Sequence, residues 1–100
     1  MAATTTVLYP KGAKFNMDYY LSSHMPLVGK QLGPKGLTSW KVLDFGSEAD
    51  FCVQATLEWE SQKAFETAAA TPEMKEVLDD VPNFSDKSPM MLPGAVKGSG

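Results

Sequence analysis

The stretch Phe51 to Trp59 constrains the fold more than any other. Phe51, Val53, Ala55, Leu57 and Trp59 alternate with Cys52, Gln54, Thr56 and Glu58. A period of two sends the first set to one face of a strand and the second to the other. The apolar face must be covered by another layer, so the chain is predicted to pair this strand into a sheet and lay helices on it.

Other segments supply the partners. Thr4 to Tyr9 is rich in β-branched residues and stops at Pro10-Lys11-Gly12, which predicts a first strand. Leu37 to Leu43 predicts a second, followed by the polar turn Asp44 to Glu48. Ser88 to Leu92 predicts a short last strand, and Pro89 assigns it to an edge. Phe15 to Leu32 has helical spacing, with Met17, Tyr20, Leu21, His24, Leu27, Val28 and Leu32 on one stripe. Asn16 is its expected N-cap, and Asp18 suits the positive end of the helix dipole. Pro26 lacks an N–H and leaves the Ser22 carbonyl without its helical partner, so a kink is expected there. Gly33-Pro34 ends the helix. Ser61 caps a second helix through Ala70, and Thr71-Pro72 starts a third with Met74, Val77, Leu78 and Val81 as its apolar face. Pro82 stops it, and the chain is expected to fray from Val96.

The order is β-α-β-β-α-β. It predicts an α+β, ferredoxin-like fold: a four-stranded antiparallel sheet with helices on one face. The other face, carrying Cys52, Gln54, Thr56 and Glu58, is neither a clean solvent surface nor a dry core. Two such faces packed together close a dimeric α+β barrel, and symmetric dimers are the commonest oligomers. The alternative is a monomer with a solvated sheet face. Residues 1–97 are expected to form one domain, with Gly98-Ser99-Gly100 a flexible tail or expression remnant.

Composition excludes several classes. At 43% hydrophobic and 21% charged residues, the 100-residue chain is globular rather than disordered. No run approaches the ~20 apolar residues of a membrane span. No signal peptide is visible, so a cytoplasmic location is expected. All 9 basic residues are lysines and the net charge is −3, which argues against a nucleic-acid partner. Gly33-Pro34-Lys35-Gly36 lacks the spacing of a phosphate loop. Cys52 and His24 are each the only residue of their kind, so no metal site is expected. The six methionines read as adaptable packing, and Glu73, Glu76, Asp79 and Asp80 as a solvated helix face.

One segment carries more specific information. The run from Phe15 through Tyr19-Tyr20 to His24-Met25-Pro26-Leu27-Val28 resembles the signature of the EthD family, within the dimeric α+β barrel superfamily. The resemblance implies a homodimer that acts on a small organic molecule. EthD proteins are associated with degradative operons and with fungal aromatic polyketide pathways. The wider superfamily includes polyketide cyclases, cofactor-independent monooxygenases, isomerases and haem enzymes, so the fold does not choose the reaction.

Tyr20 and His24 are four apart and share a helical face. A histidine there can move a proton near neutral pH, and a tyrosine hydroxyl beside it can stabilise an enolate. His24 and Tyr20 are therefore the candidate catalytic residues. The expected chemistry is cofactor-independent cyclisation, dehydration or decarboxylation of an aromatic or polyketide-like keto compound. The expected pocket lies between helices and sheet, lined by Tyr9, Phe15, Leu27, Val28, Trp40 and Trp59. Two alternatives stay open: a cofactor-independent monooxygenase, and a non-catalytic carrier of a hydrophobic metabolite. A lone buried histidine is also a common structural residue. Tyr19 points away from this face, toward solvent or a partner chain.

Overall fold

A computed structural model describes residues 2–100; Met1, the first residue of the expected domain, lies outside them. Four strands form one antiparallel sheet: β1 (Ala3–Pro10), β2 (Leu37–Asp44), β3 (Phe51–Trp59) and β4 (Met90–Ala95). Their order across the sheet is β2-β3-β1-β4, the ferredoxin-like arrangement. β1 pairs with β3 from Ala3 opposite Trp59 to Tyr9 opposite Val53. The shared register sets Thr5, Val7 and Tyr9 beside Leu57, Ala55 and Val53 on one face, all of them buried.

The first helix, α1, is composite. It has an α-helical turn at Met17–Tyr19, a π-helical turn at Tyr20–His24 and an α-helical run at Met25–Leu32. Asn16 caps it, its Oδ1 accepting from the Tyr19 N–H at 3.0 Å. The expected kink at Pro26 takes the form of this wide turn, in which the Met25 N–H bonds the Tyr20 carbonyl. The reason is local: Pro26 has no N–H for the ordinary bond, and its ring opposes the carbonyl four residues back. Tyr20, His24, Met25, Val28 and Leu32 form the buried stripe, whereas Leu21 stays 45% exposed. A pure 3.6-residue period had placed Leu21 on that stripe.

Two shorter helices follow β3. α2 (Gln62–Ala69) begins under Ser61, whose Oγ accepts from the Ala64 N–H at 3.0 Å. α3 (Pro72–Asp79) begins under Thr71, with proline in the first turn. A 3₁₀ turn, Val81–Asn83, ends it. Leu78, expected on the buried face of α3, is 43% exposed. β4 starts two residues later than expected and ends later too, with Met90 opposite Leu8 and Ala95 opposite Ala3. Val96 is not frayed, because its N–H donates to the Ala2 carbonyl at 3.0 Å.

All three helices cover the same face of the sheet, and the core lies between them. Its sheet side is Ala3, Val7, Tyr9, Leu37, Val53, Ala55, Leu57 and Trp59. Gly36 is required where α1 turns into β2. Its φ is +109°, and a Cβ there would fall 2.8 Å from that of Ala64. Among the described residues, none covers the opposite face. There Leu43, Met90 and Leu92 are exposed beside Thr6, Gln54 and Thr56.

Candidate active site

Two contacts tie the start of α1 to the segment after α3. The Asn16 N–H donates to the Phe84 carbonyl at 2.8 Å, and Phe15 bridges to Ser85. This staple closes an aromatic cluster around Phe84, which is itself buried. The Phe84 ring lies 4.5 Å from His24, 4.8 Å from Tyr20 and 5.4 Å from Phe15. Tyr20 stacks on His24 at 5.2 Å with the ring planes 14° apart. The imidazole is thus held between two aromatic rings, and only 4% of His24 is exposed.

Polar contacts fix the remaining freedom of that ring. His24 Nδ1 lies 2.9 Å from Asp80 Oδ2. The other Asp80 oxygen, Oδ1, accepts from the Tyr19 hydroxyl at 2.7 Å and from Asn83 Nδ2 at 2.8 Å. Among the described residues, Nε2 has no protein hydrogen-bond partner. Burial pushes the His24 pKa down and outweighs the opposing pull of Asp80. Burial pushes the Asp80 carboxyl up, but hydrogen bonds from Asn83, Tyr19 and His24 together hold it below the usual carboxylate range. The pair at rest is therefore a neutral imidazole beside a carboxylate, with no net proton to spare at neutral pH.

His24 lines a cavity of about 40 Å³ between α1, α3 and the sheet. Val7, Ala55 and Leu57 form its floor, while Met25, Met74 and Met91 close the walls. Leu78, Val81 and Pro89 lie at its outer margin, where exposed Leu78 reaches solvent. Besides His24, its polar groups belong to Tyr9 and Tyr20. Burial raises the Tyr9 hydroxyl well above the ordinary phenol range, reinforced by Tyr20. Burial likewise raises Tyr20, slightly relieved by the neighbouring Tyr9 hydroxyl. Both stay protonated at any working pH, and both can donate a hydrogen bond.

The expected site residues divide accordingly. Tyr9, Tyr20, His24 and Val28 meet at the cavity. Phe15 packs behind it on Tyr9 and Tyr20, at 4.9 and 4.8 Å, and borders an open depression at the end of the sheet with Met17 and Cys52. Leu27 packs at the margin of the core rather than on the cavity. Trp40 faces the helix side, opposite Leu57, but edge strand β2 runs beyond the helices and leaves it 40% exposed. Trp59 is buried elsewhere, its Nε1 donating to Thr5 Oγ1 at 3.1 Å and its ring 5.5 Å from Phe65 of α2. So Phe15, Leu27, Trp40 and Trp59 stand outside the cavity where the sequence had set them.

The site also contains residues the spacing did not offer. Tyr19 does not turn to solvent; its hydroxyl is bound to Asp80. Asp80 is not one more acid on a solvated face. An acidic residue at a helix C-terminus opposes the dipole, and that unfavourable placement was the available signal. Among the described residues, no three His, Cys, Asp or Glu side chains converge as metal ligands would. No helix there is long and apolar enough to cross a membrane.

Comparison with known proteins agrees with this fold. An EthD-like protein from Ralstonia eutropha JMP134 superposes with a TM-score of 0.83 at 26% identity, over 99% of this chain and 95% of that one. An ethyl tert-butyl ether D (EthD) family protein from Bacillus halodurans C-125 gives 0.75 at 22%, over 96% and 99%. SnoaB, a cofactor-independent oxygenase from Streptomyces nogalater, gives 0.67 at 13%, over 98% and 94%, a likeness of fold alone. No curated protein matches the chain in sequence. The EthD domain itself matches residues 13–88, well over half the chain and most of the residues that line the cavity, and this protein therefore belongs to the EthD family.

Proposed function

We propose that this protein is a small-molecule enzyme in which His24 acts as a general base on a keto compound, without a cofactor. One observation carries the reading. The sole histidine sits at an apolar cavity with one ring nitrogen held by a carboxylate and the other without a protein partner among the described residues. A histidine kept only for structure commonly has its ring nitrogens satisfied within the protein.

The chemistry follows from the groups present. His24 Nε2 takes the proton from a carbon next to a carbonyl, and the electron pair moves onto the carbonyl oxygen. The Tyr20 and Tyr9 hydroxyls, kept neutral by burial, donate to that oxygen as it gains charge. The enolate then attacks a second carbonyl, expels water or is reprotonated. These outcomes correspond to cyclisation, dehydration and isomerisation, and loss of CO₂ from a β-keto acid would use the same oxygen site. The apolar walls favour an aromatic or polyketide-like substrate. A cavity of about 40 Å³ holds only a few waters, so such a substrate must widen it. Met25, Met74 and Met91 are the side chains best suited to yield.

The reading includes a homodimer formed through the uncovered sheet face, where Leu43, Met90 and Leu92 stand exposed. Its central test is turnover of a panel of aromatic poly-keto compounds by the wild type and His24→Ala. The expected result is product in molar excess over wild-type protein, with the variant slower by ~10²-fold or more while still folded. Equal rates in the two proteins overturn the role of His24. Stoichiometric binding without turnover makes the protein a carrier, and oxygen uptake makes it an oxygenase.

A further inference from the structure

Tyr19 and Asn83 both donate to the same oxygen of Asp80, while His24 faces the other. We infer that Asp80 is a positioning residue that fixes the tautomer of His24, and that Tyr19 and Asn83 fix Asp80. A carboxylate has no hydrogen to give, so the nitrogen at 2.9 Å must be the one that carries hydrogen. The neutral ring then bears its proton on Nδ1 and its lone pair on Nε2, the nitrogen free for substrate. The opposite tautomer would set a lone pair against a carboxylate and leave the cavity facing an N–H, which cannot act as a base. The catalytic consequence rests on the function proposed above; the tautomer itself does not.

The two-to-one division of donors makes the idea sharp. In Asp80→Asn the new amide has one acceptor and one donor end. Its oxygen belongs where the Tyr19 hydroxyl and the Asn83 amide converge. Its NH₂ group then faces His24 Nδ1, which must accept, and the ring proton moves to Nε2. The fold loses little by this change, yet the base is inverted. Removing one of the converging donors, as in Asp80→Asn with Tyr19→Phe, weakens the preference and lets both tautomers appear.

Nitrogen-15 NMR of the imidazole distinguishes the two forms, and the single histidine makes the signal unambiguous. It is read above the His24 pKa, so that the ring is neutral. The wild type is expected to show Nδ1–H, Asp80→Asn mainly Nε2–H, and the double variant a mixture. Turnover, where found, is expected to fall ~10³- to 10⁴-fold in Asp80→Asn, as when an amide replaces the carboxylate behind a catalytic histidine. An Nε2–H wild type overturns the inference without any variant. So does a folded Asp80→Asn protein that keeps Nδ1–H. If the tautomers behave as expected and no variant affects turnover, the positioning stands and the general-base reading fails.

Discussion

Truncating Phe84 tests the packing on which the site depends. The ring is 2% exposed and has five aromatic neighbours: Tyr9, Phe15, Tyr19, Tyr20 and His24. Removing a buried phenylalanine costs about 3–5 kcal/mol, made of lost burial and of the void left behind. Here the upper half of that range applies. Edge-to-face contacts add to burial, at about 0.5–1.5 kcal/mol a pair. The neighbours are also rings fixed by their own hydrogen bonds or backbone staples, so the void cannot easily collapse. Against a total of about 5–15 kcal/mol for such a domain, Phe84→Ala removes roughly a quarter or more. The melting temperature is then expected to fall by roughly 16–40 °C. Urea unfolding at one fixed protein concentration measures the free-energy loss, because an oligomer would make the midpoint depend on concentration. Phe84→Leu keeps most of the volume and should lose less than half as much. If Phe84→Ala costs under about 1 kcal/mol with an unchanged slope, the ring does not wedge the cluster, and the rigid seat of His24 goes with it.

Two further outcomes follow from the charges and the open face. His24 titrates lower in the fold than its ordinary value of 6.5, so its contribution to stability is complete above about that pH and is lost as pH falls toward the folded value. The groups facing it are Asp80, Tyr20 and Tyr9; both tyrosines stay neutral in this range, and Asp80, also lowered, adds its own loss only below about 3.8. Unfolding free energy measured between pH 7 and 5 should decline by at most about 1.4 kcal/mol per pH unit from this group, and His24→Gln should flatten the decline; an identical slope in the variant refutes the assignment. Leu92→Lys, on the uncovered sheet face, should convert a dimer to monomer in sedimentation, whereas a wild type that is monomeric at tens of micromolar refutes the face-to-face pairing.

The fold was legible because its signals are local. The alternation of Phe51 to Trp59, the caps at Asn16, Ser61 and Thr71, and the breaks at Gly33-Pro34 and Pro82 each act within a few residues. The site was legible only in the part that one helix presents. Tyr20 and His24 share a face at a spacing of four, and the sequence shows that. Asp80 is 56 residues from His24, and nothing in either segment's own periodicity joins them. The wide turn before Pro26 is also hidden, because a missing N–H predicts a disturbance without choosing between a kink and a π-helical turn. The tryptophans misled for a different reason. A large apolar side chain must pack somewhere, but its position along the sheet, under α2 for Trp59 and beyond the helices for Trp40, depends on where the helices lie.

In the reaction proposed for His24, Asp80 would do more than orient a ring, because the two influences on the imidazole act at different moments. Burial among Tyr20, Phe84 and the cavity wall disfavours the charged ring, so the imidazole rests neutral and available as a base at neutral pH. That same burial would oppose proton transfer, since the transfer creates an imidazolium in an apolar place. A carboxylate 2.9 Å away meets the new charge with a bond already in place, and no group has to move to form it. The cost of keeping Asp80 ionised while largely buried is met in advance by Tyr19 and Asn83, neither of which touches the cavity. An apolar pocket that runs acid–base chemistry needs such an arrangement: a neutral base in front, and behind it a charge stabilised before the substrate arrives.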